Sequence, residues 1–103
     1  EILDLPFIPK DCIHNAHMYY IKLKDIHVRK RVIDAMRQRG IHSVFHYIPL
    51  HSSEAGLKFG SFCGQDLYTT KESERLLRLP LYFELKEENI IDNVNIIIEN
   101  IIN

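Results

Sequence analysis

The stretch MYYIKLKDIHVRKRVIDAMRQRG, residues 18–40, decides the fold, because a strand pattern is followed in it at once by a helix pattern. From Met18 to Leu23 apolar and polar side chains alternate in a run rich in aromatic and branched residues, which predicts a half-buried strand. Asp25 is a typical helix N-cap, and Gly40 suits the left-handed position that ends a helix. We therefore predict one helix between them, with its apolar side facing the core.

Beyond this helix, residues 41–47 are predicted as a second strand and residues 48–68 as a long loop with a short helical turn after Ser53. A loop of this length in a compact domain is either disordered or functional, and its leucine and aromatic side chains favour packing on a partner surface. Residues 69–72, TTKE, fit a capping box. The box predicts a helix that extends through Leu77.

The last predicted elements are a strand at residues 79–83 and a C-terminal helix opened by Glu87 and Glu88. Pro80 has no N–H to donate to a ladder, so its strand is predicted to lie at an edge or to be bulged. Apolar side chains then recur at spacings of three and four, which predicts a helix with an apolar stripe. The stripe consists of Ile90, Ile91, Val94, Ile97, Ile98 and Ile101. The predicted fold class is α/β (α+β), with a small, three-stranded, mainly antiparallel sheet and helices packed largely on one face.

Composition narrows the class of protein. The chain has 103 residues, 13 lysines and arginines, 14 aspartates and glutamates, and a formal net charge of −1. The densest basic group, Arg29 to Arg31, is read as the solvated face of a helix, so nucleic acid is not an expected partner. Cys12 and Cys63 form no disulfide framework, which favours a reduced, cytoplasmic protein. Asparagines and a glutamate interrupt the C-terminal apolar run and argue against a membrane span.

The start of the chain predicts its domain organisation. Glu1 is not a methionine, and the residues after it form an extended, proline-punctuated run. We expect residues 1–15 to be a lead-in or linker that leaves another domain. Residues 16–103 are expected to form the ordered domain.

The densest set of polar functional groups lies in VFHYIPLHSS, residues 44–53, where a strand gives way to the long loop. Imidazole, phenol and hydroxyl groups donate and accept hydrogen bonds, and loops held by rigid elements commonly carry binding sites. A zinc site stays open as an alternative, with Cys12, His14 and His17 as ligands and His46 or His51 as a further one, although their spacing matches no finger or ribbon. His51 precedes two serines without the strand-to-helix elbow of a serine hydrolase. Taken alone, the chain carries no complete catalytic machinery.

A family resemblance adds to this reading. NAHMYYI at residues 15–21, HYIPLH at 46–51, LPL at 79–81 and the pair Glu87 and Glu88 follow one another in the order seen in one family. The chain resembles, over nearly its whole length, the C-terminal domain of the DegT/DnrJ/StrS family of pyridoxal-phosphate-dependent sugar aminotransferases. The resemblance implies a fold type I homodimer that transfers an amino group from glutamate to a nucleotide-linked keto sugar.

The resemblance also implies which side chains face the substrate. His46 matches the position where the family's small domain offers a histidine to the active site, and Tyr47 and His51 flank it on the same turn. The cofactor's lysine and ring partners belong to the large domain, so no catalytic, cofactor-binding or metal residue is assigned here. The fragment alone is expected to bind no cofactor and to be inactive. Many family members have an arginine where this chain has Val44, so the phosphate contacts of that arginine do not transfer.

A second reading from a different class stays open. The chain could be a free-standing α/β ligand-binding or regulatory module with no chemistry of its own. An open reading frame that extends some hundreds of residues upstream of Glu1 would favour the aminotransferase domain over the module.

Overall fold

The computed structural model describes residues 3–102 and contains one three-stranded antiparallel sheet, four α-helices and a 3₁₀ turn. The predicted fold class is confirmed. The strands are Tyr19–Lys22 (β1), Val44–Phe45 (β2) and Leu76–Leu79 (β3). The helices are Ile26–Gln38 (α1), Glu54–Phe59 (α2), Thr69–Arg75 (α3) and Glu87–Ile102 (α4), and the 3₁₀ turn spans Leu50–Ser52.

β3 is the central strand of the sheet, and both neighbours run antiparallel to it. Ile21 of β1 and Phe45 of β2 both lie opposite Leu77, so these three side chains share one face. The next row points to the opposite face, because successive side chains of a strand alternate. That row consists of Tyr20, Arg78 and Val44.

The face that carries Leu77 is covered by α1 and α4, which also pack against each other. We call it the helix-covered face, and the face that carries Arg78 the open face. The core side chains of the helix-covered face are at most 3% exposed. They are Ile21, Leu23, Val32, Met36, Leu77, Ile96 and Ile97. Burial of this apolar surface is the main force that holds the helices on the sheet.

α1 begins and ends where the sequence predicts. The carboxylate of Asp25 accepts hydrogen bonds from the amides two and three residues further on, both at 2.9 Å. At the other end Gly40 has a φ of +73°, and its amide and the next one donate to carbonyls of the last turn at 3.0 and 2.9 Å. Both caps satisfy backbone groups that the helix itself leaves unpaired.

α4 is confirmed as a helix, but it is rotated relative to the predicted stripe. Its buried residues are Asn93, Ile96 and Ile97. Four side chains of the predicted stripe are instead 43–52% exposed, namely Ile90, Ile91, Val94 and Ile98. Isoleucine occurs on nearly every side of this helix, so spacing alone does not fix the inward face. Asn100 is tolerated near the core because its side-chain amide donates to the carbonyl of Ile96 at 2.8 Å.

Two predicted strands were wrong in extent. β2 covers Val44–Phe45 rather than residues 41–47, and β3 covers Leu76–Leu79 rather than residues 79–83. Pro80 follows β3 directly, since a residue without an N–H cannot continue the ladder. The expectation of an edge or bulged strand at Pro80 was therefore wrong, because β3 ends before it and lies at the centre of the sheet.

α3 begins at the predicted position but with a different cap. The carboxylate of Asp66 accepts a hydrogen bond from the amide of Thr70 at 3.2 Å. Glu72 instead forms an ion pair with Lys22 of β1, at 2.6 Å between Oε2 and Nζ. The capping box predicted at residues 69–72 was wrong, because its glutamate points to the sheet and an aspartate upstream takes over the cap.

Arg75 ends α3 and ties three segments together. Its guanidinium donates to the carbonyl of Leu23 at 2.8 Å and pairs with the carboxylate of Asp4 at 2.7 Å. The hydrogen bond to Asp4 is the largest cause of the raised pKa of Arg75. Asp4 also forms an antiparallel bridge with Lys22. The chain beyond Arg75 enters the sheet, so the predicted extension of the helix through Leu77 was wrong.

The division into a lead-in at residues 1–15 and a domain at residues 16–103 stays a prediction. Glu1, Ile2 and Asn103, which it includes, lie outside the described residues. Of the helices described between residues 3 and 102, none has the length and apolar character to cross a membrane.

Candidate functional site

His46 is the first residue after β2, and its ring is partly enclosed. Its Nδ1 atom is buried and has no hydrogen-bond partner among residues 3–102. The ring centre lies 4.8 Å from that of Tyr47, at an interplanar angle of 56°. Most buried polar atoms in proteins have a partner, and leaving one unpaired costs free energy. His46 is therefore the side chain at the end of β2 that an additional hydrogen-bonding group would satisfy.

Tyr47 turns the chain away from the sheet. Its φ is +62°, in the left-handed region that few residues other than glycine occupy. The side chain is 72% exposed. Strained backbone of this kind is often found at functional sites, where the surrounding structure holds it in place. His46 and Tyr47 are thus presented side by side at the edge of the sheet.

A cavity of about 210 Å³ lies next to this turn, between β2, α1 and α3. Phe45 and Tyr47 line it together with Arg29 of α1. The guanidinium carbon of Arg29 lies 4.9 Å from the ring centre of Phe45, and the same group donates to the carbonyl of Ser73. Phe45 points to the helix-covered face, so the alternation along β2 directs His46 to the open face.

Arg29 is the residue of this region that the sequence interpretation placed wrongly. It was assigned to a solvated helix face, yet it is only 9% exposed. Its helical spacing to the buried Val32 and Met36, three and seven residues on, was the available signal. Burial lowers the pKa of Arg29, and the charge of Glu74 acts in the opposite direction. Arg29 is an internal brace between α1 and α3.

His51 belongs to a cluster with Asp66, Thr70 and Phe62. Its Nε2 is 3.0 Å from the carboxylate of Asp66 and 3.3 Å from the hydroxyl of Thr70. The ring meets that of Phe62 edge to face, at 4.6 Å between centres. The hydroxyl of Thr70 donates to Asp66, and this hydrogen bond is the largest cause of the lowered pKa of Asp66. His51 thereby ties the long loop to the start of α3.

The helical turn expected after Ser53 is confirmed as α2. The hydroxyl of Ser53 accepts from the amide of Gly56 at 3.0 Å and donates to the carbonyl of Leu50 at 2.7 Å. Gly56 is required by close approach, because a Cβ there would lie 1.6 Å from the carbonyl oxygen of Leu50. The first half of the predicted loop, up to Gly60, is therefore regular structure with a specific cap.

The surface around α2 is apolar. A cavity of about 590 Å³ is lined by side chains that include Leu50, Phe59 and Phe62. Leu57 and Phe59 are 71% and 80% exposed. Exposed apolar surface concentrated in one segment is typical of surfaces that contact another domain or chain.

A metal ion needs a cluster of ligands, and a cofactor needs side chains that hold it. Between residues 3 and 102, no group of three or more His, Cys, Asp or Glu side chains is placed to hold a metal ion. Cys12 and Cys63 are both free and exposed. Every lysine in the described part of the chain is exposed except Lys22, which is paired with Glu72. A cofactor bound as a Schiff base needs an enclosed lysine and partners for its ring.

The solved structures that this fold matches are aminotransferases. The aminotransferase TlmJ from Streptoalloteichus hindustanus aligns with a TM-score of 0.82 and 21% identity over 99% of this chain and 27% of that one. The aminotransferase PseC of Helicobacter pylori, involved in the biosynthesis of pseudoaminic acid, aligns with a TM-score of 0.66 and 18% identity over 82% and 23%. A putative sugar aminotransferase from Streptococcus pneumoniae, in its PMP form, gives 0.64 and 22% over 82% and 22%.

At these identities the matches establish the fold, which is that of part of a fold type I aminotransferase. The chain spans about a quarter of the length of the structures it matches. The family model of the DegT/DnrJ/EryC1/StrS aminotransferases matches residues 2–98. The chain belongs to the DegT/DnrJ/EryC1/StrS aminotransferase family.

Proposed function

We propose that these residues are the C-terminal small domain of a pyridoxal-phosphate-dependent aminotransferase that acts on a nucleotide-linked keto sugar. Residues 1–15 are the linker from a large domain, and residues 16–103 are the small domain. Family membership supports the class of reaction. The match to about a quarter of each longer aminotransferase supports the role as one domain of a larger enzyme.

The proposed substrates are glutamate as amino donor and dTDP-4-keto-6-deoxyglucose as acceptor. The support is the amino-acid sequence of residues 45–53 (FHYIPLHSS), 55–57 (AGL) and 69–73 (TTKES). These strings resemble the dTDP-4-amino-4,6-dideoxygalactose transaminase of enterobacterial common antigen synthesis. We also propose a cytoplasmic location, since Cys12 and Cys63 are both free.

Pyridoxal phosphate supplies the electron-sink chemistry of such a reaction. The residues described here do not fit a complete pocket for it, so its lysine and ring partners are assigned to the large domain. The task of this chain is to bind and orient the nucleotide sugar. On its own it should therefore show no transamination.

One observation carries the proposed role in substrate binding, namely the buried, unpartnered Nδ1 of His46. An imidazole nitrogen accepts or donates a hydrogen bond according to the tautomer, so a sugar hydroxyl or a phosphate oxygen can pair with it. Tyr47 presents its phenol beside this ring. His51 is proposed to contact substrate through Nδ1, because its Nε2 is engaged by Asp66 and Thr70.

Two further partners are proposed for the apolar surface around α2. Phe59 and Leu57 are largely exposed in this chain, and a large domain or a second subunit of a homodimer would cover them. The isolated chain should therefore self-associate, or exchange its amides rapidly between residues 48 and 68. A strictly monomeric chain with that segment well protected from hydrogen exchange would contradict this part of the proposal.

The substrate role is tested by His46→Ala in the full-length enzyme, with His42→Ala as the matched control. His42 is exposed and precedes β2, at the opposite end of that strand from His46. Loss of one hydrogen bond to substrate should weaken binding of the nucleotide sugar by roughly ten- to a hundredfold. The cofactor spectrum and the glutamate half-reaction should not change, and His42→Ala should resemble wild type. Equal losses in both half-reactions, measured separately by stopped flow, would show that His46 is a structural residue.

A further inference from the structure

Arg78 differs from the other five arginines of the chain. Arg29 and Arg31 donate to backbone carbonyls, whereas Arg37, Arg39 and Arg75 pair with carboxylates. Within the described range, residues 3–102, the side chain of Arg78 has neither a hydrogen bond nor an ion pair. It is also half-buried, unlike the exposed Arg37 and Arg39. An arginine with these two properties at the centre of a sheet is not explained by the packing of this chain.

The position of Arg78 is fixed by the register of all three strands. It lies on the central strand, with Tyr20 opposite it on β1 and Val44 opposite it on β2. These side chains point away from Leu77 and its covering helices. The guanidinium therefore belongs to the open face, the same face as His46.

Lys22 is a second cationic side chain on this face, and unlike Arg78 it has an ion-pair partner. Lys22, on β1, is paired with Glu72 at 2.6 Å. Arg78 carries five N–H donors in a planar fork and has no acceptor to match. A partly desolvated charge without a partner costs free energy, so an acceptor supplied from outside this chain would be bound favourably.

We infer that Arg78 and His46 together form an oxyanion site on the open face, and that its ligand is the diphosphate of the nucleotide-linked sugar. The identity of the ligand rests on the proposed function, whereas the anion site itself rests on the geometry of the sheet. His46 continues β2 just beyond its last paired residue, which makes it a diagonal neighbour of Arg78 at roughly 7–8 Å between backbones. Both side chains can reach one extended anion from that spacing.

A diphosphate fits this pair of donors better than a single carboxylate does. An arginine fork binds both oxygens of one carboxylate in a bidentate contact. The small carboxylate is then held at Arg78 and has no second group to reach a histidine roughly 7–8 Å away along the sheet. A diphosphate has enough oxygens for both side chains.

The anion site is tested on the 103-residue chain, labelled with ¹⁵N and titrated with sodium pyrophosphate at constant ionic strength. The side-chain signals of Arg78 and His46 should shift together and saturate. Arg78→Gln should weaken binding about tenfold or more, because a charge-assisted contact is lost. Arg37→Gln, at an exposed arginine on α1, should change it less than about twofold. Equal losses in the two variants, or shifts centred on α1, would overturn the proposal.

Two further experiments test whether the ligand is a diphosphate. Acetate in place of pyrophosphate should bind far more weakly, and equal affinity would overturn the assignment to a diphosphate. In the full-length enzyme, Arg78→Gln should raise the KM for the nucleotide sugar about tenfold and leave the glutamate half-reaction unchanged. A lower Tm with an unchanged KM would show that Arg78 pairs with a carboxylate of the large domain, and would overturn the proposal. A full-length protein without transaminase activity would refute the proposed function, whereas the pyrophosphate titration would still decide the site.

Discussion

The two faces of the sheet differ in how completely their side chains are satisfied. On the helix-covered face, Ile21 and Leu77 are at most 3% exposed and are packed among core residues of α1 and α4. On the open face, the side chain of Arg78 and the Nδ1 of His46 have no partner among residues 3–102. Both faces belong to the same few strands, so the difference lies in what covers them. The covered face stabilises the domain, and the open face carries polar groups that the described residues do not pair.

The largest expected effect separates the two faces at neighbouring residues of β3. Leu77→Ala removes a fully buried side chain from the covered face and should lower the free energy of unfolding by about 2–5 kcal/mol. Leu76→Ala, on the open face, should cost less than half as much, because Leu76 is only partly buried. Urea denaturation of both variants measures the difference. Equal losses would show that the faces are equally packed and would break the comparison.

A smaller loss of stability is expected for a substitution at Gly56, in the segment of residues 50–59 that follows β2. Gly56→Ala places a Cβ against the carbonyl of Leu50, and the resulting overpacking should cost about 1–3 kcal/mol locally. Gly60→Ala is the control, since its Cβ would lie 3.4 Å from the nearest atom. Amide exchange between residues 50 and 59 should accelerate in the first variant only. Unchanged exchange in Gly56→Ala would mean that this segment is not held as described.

The sequence predicts features that depend on local interactions better than features that depend on tertiary packing. α1 is predicted at both ends, because Asp25 and Gly40 act through local backbone geometry that the sequence encodes directly. β3 is misplaced because a leucine run next to a proline fits several registers, and only pairing with β1 and β2 selects one. α4 is rotated because its isoleucines leave the choice of inward face to tertiary packing.

The candidate site is predictable in part for related reasons. His46 and Tyr47 stand out as a polar motif at the end of a strand, and the structure brings them side by side. The partners of His51 lie up to 19 residues away in the sequence, so spacing gives no sign of its contact with Thr70. Arg78 was missed because it reads as a solvated charge until the register shows that it lies at the centre of a sheet.

The smallest expected effect is that of the ion pair between Lys22 and Glu72, which contrasts with the unpaired side chain of Arg78. Lys22 is the largest cause of the lowered pKa of Glu72, whose ordinary value is 4.5. Because the folded pKa is the lower one, this stabilisation is complete above about pH 4.5 and is lost as the pH falls through the folded pKa. The contribution should be no more than about 1 kcal/mol, since the pair is partly exposed.

Glu72→Gln tests this pH dependence, with Glu84→Gln at an exposed position outside the helices as control. Urea denaturation should show a difference between wild type and Glu72→Gln at neutral pH that shrinks as the pH falls below 4.5. Glu84→Gln should match wild type throughout. A difference that stays constant down to pH 3 would mean that the carboxylate charge of Glu72 does not contribute.

The central claim is that the open face holds the nucleotide sugar through side chains from two adjacent strands. A double-mutant cycle of His46→Ala and Arg78→Gln in the full-length enzyme tests it most directly, with single-turnover rates for the nucleotide-sugar and glutamate half-reactions. Each single variant should slow the nucleotide-sugar half-reaction about tenfold or more, and the double variant should lose less than the product of the two, because both side chains hold one ligand group. Full additivity, no loss, or an equal loss in the glutamate half-reaction would contradict the account.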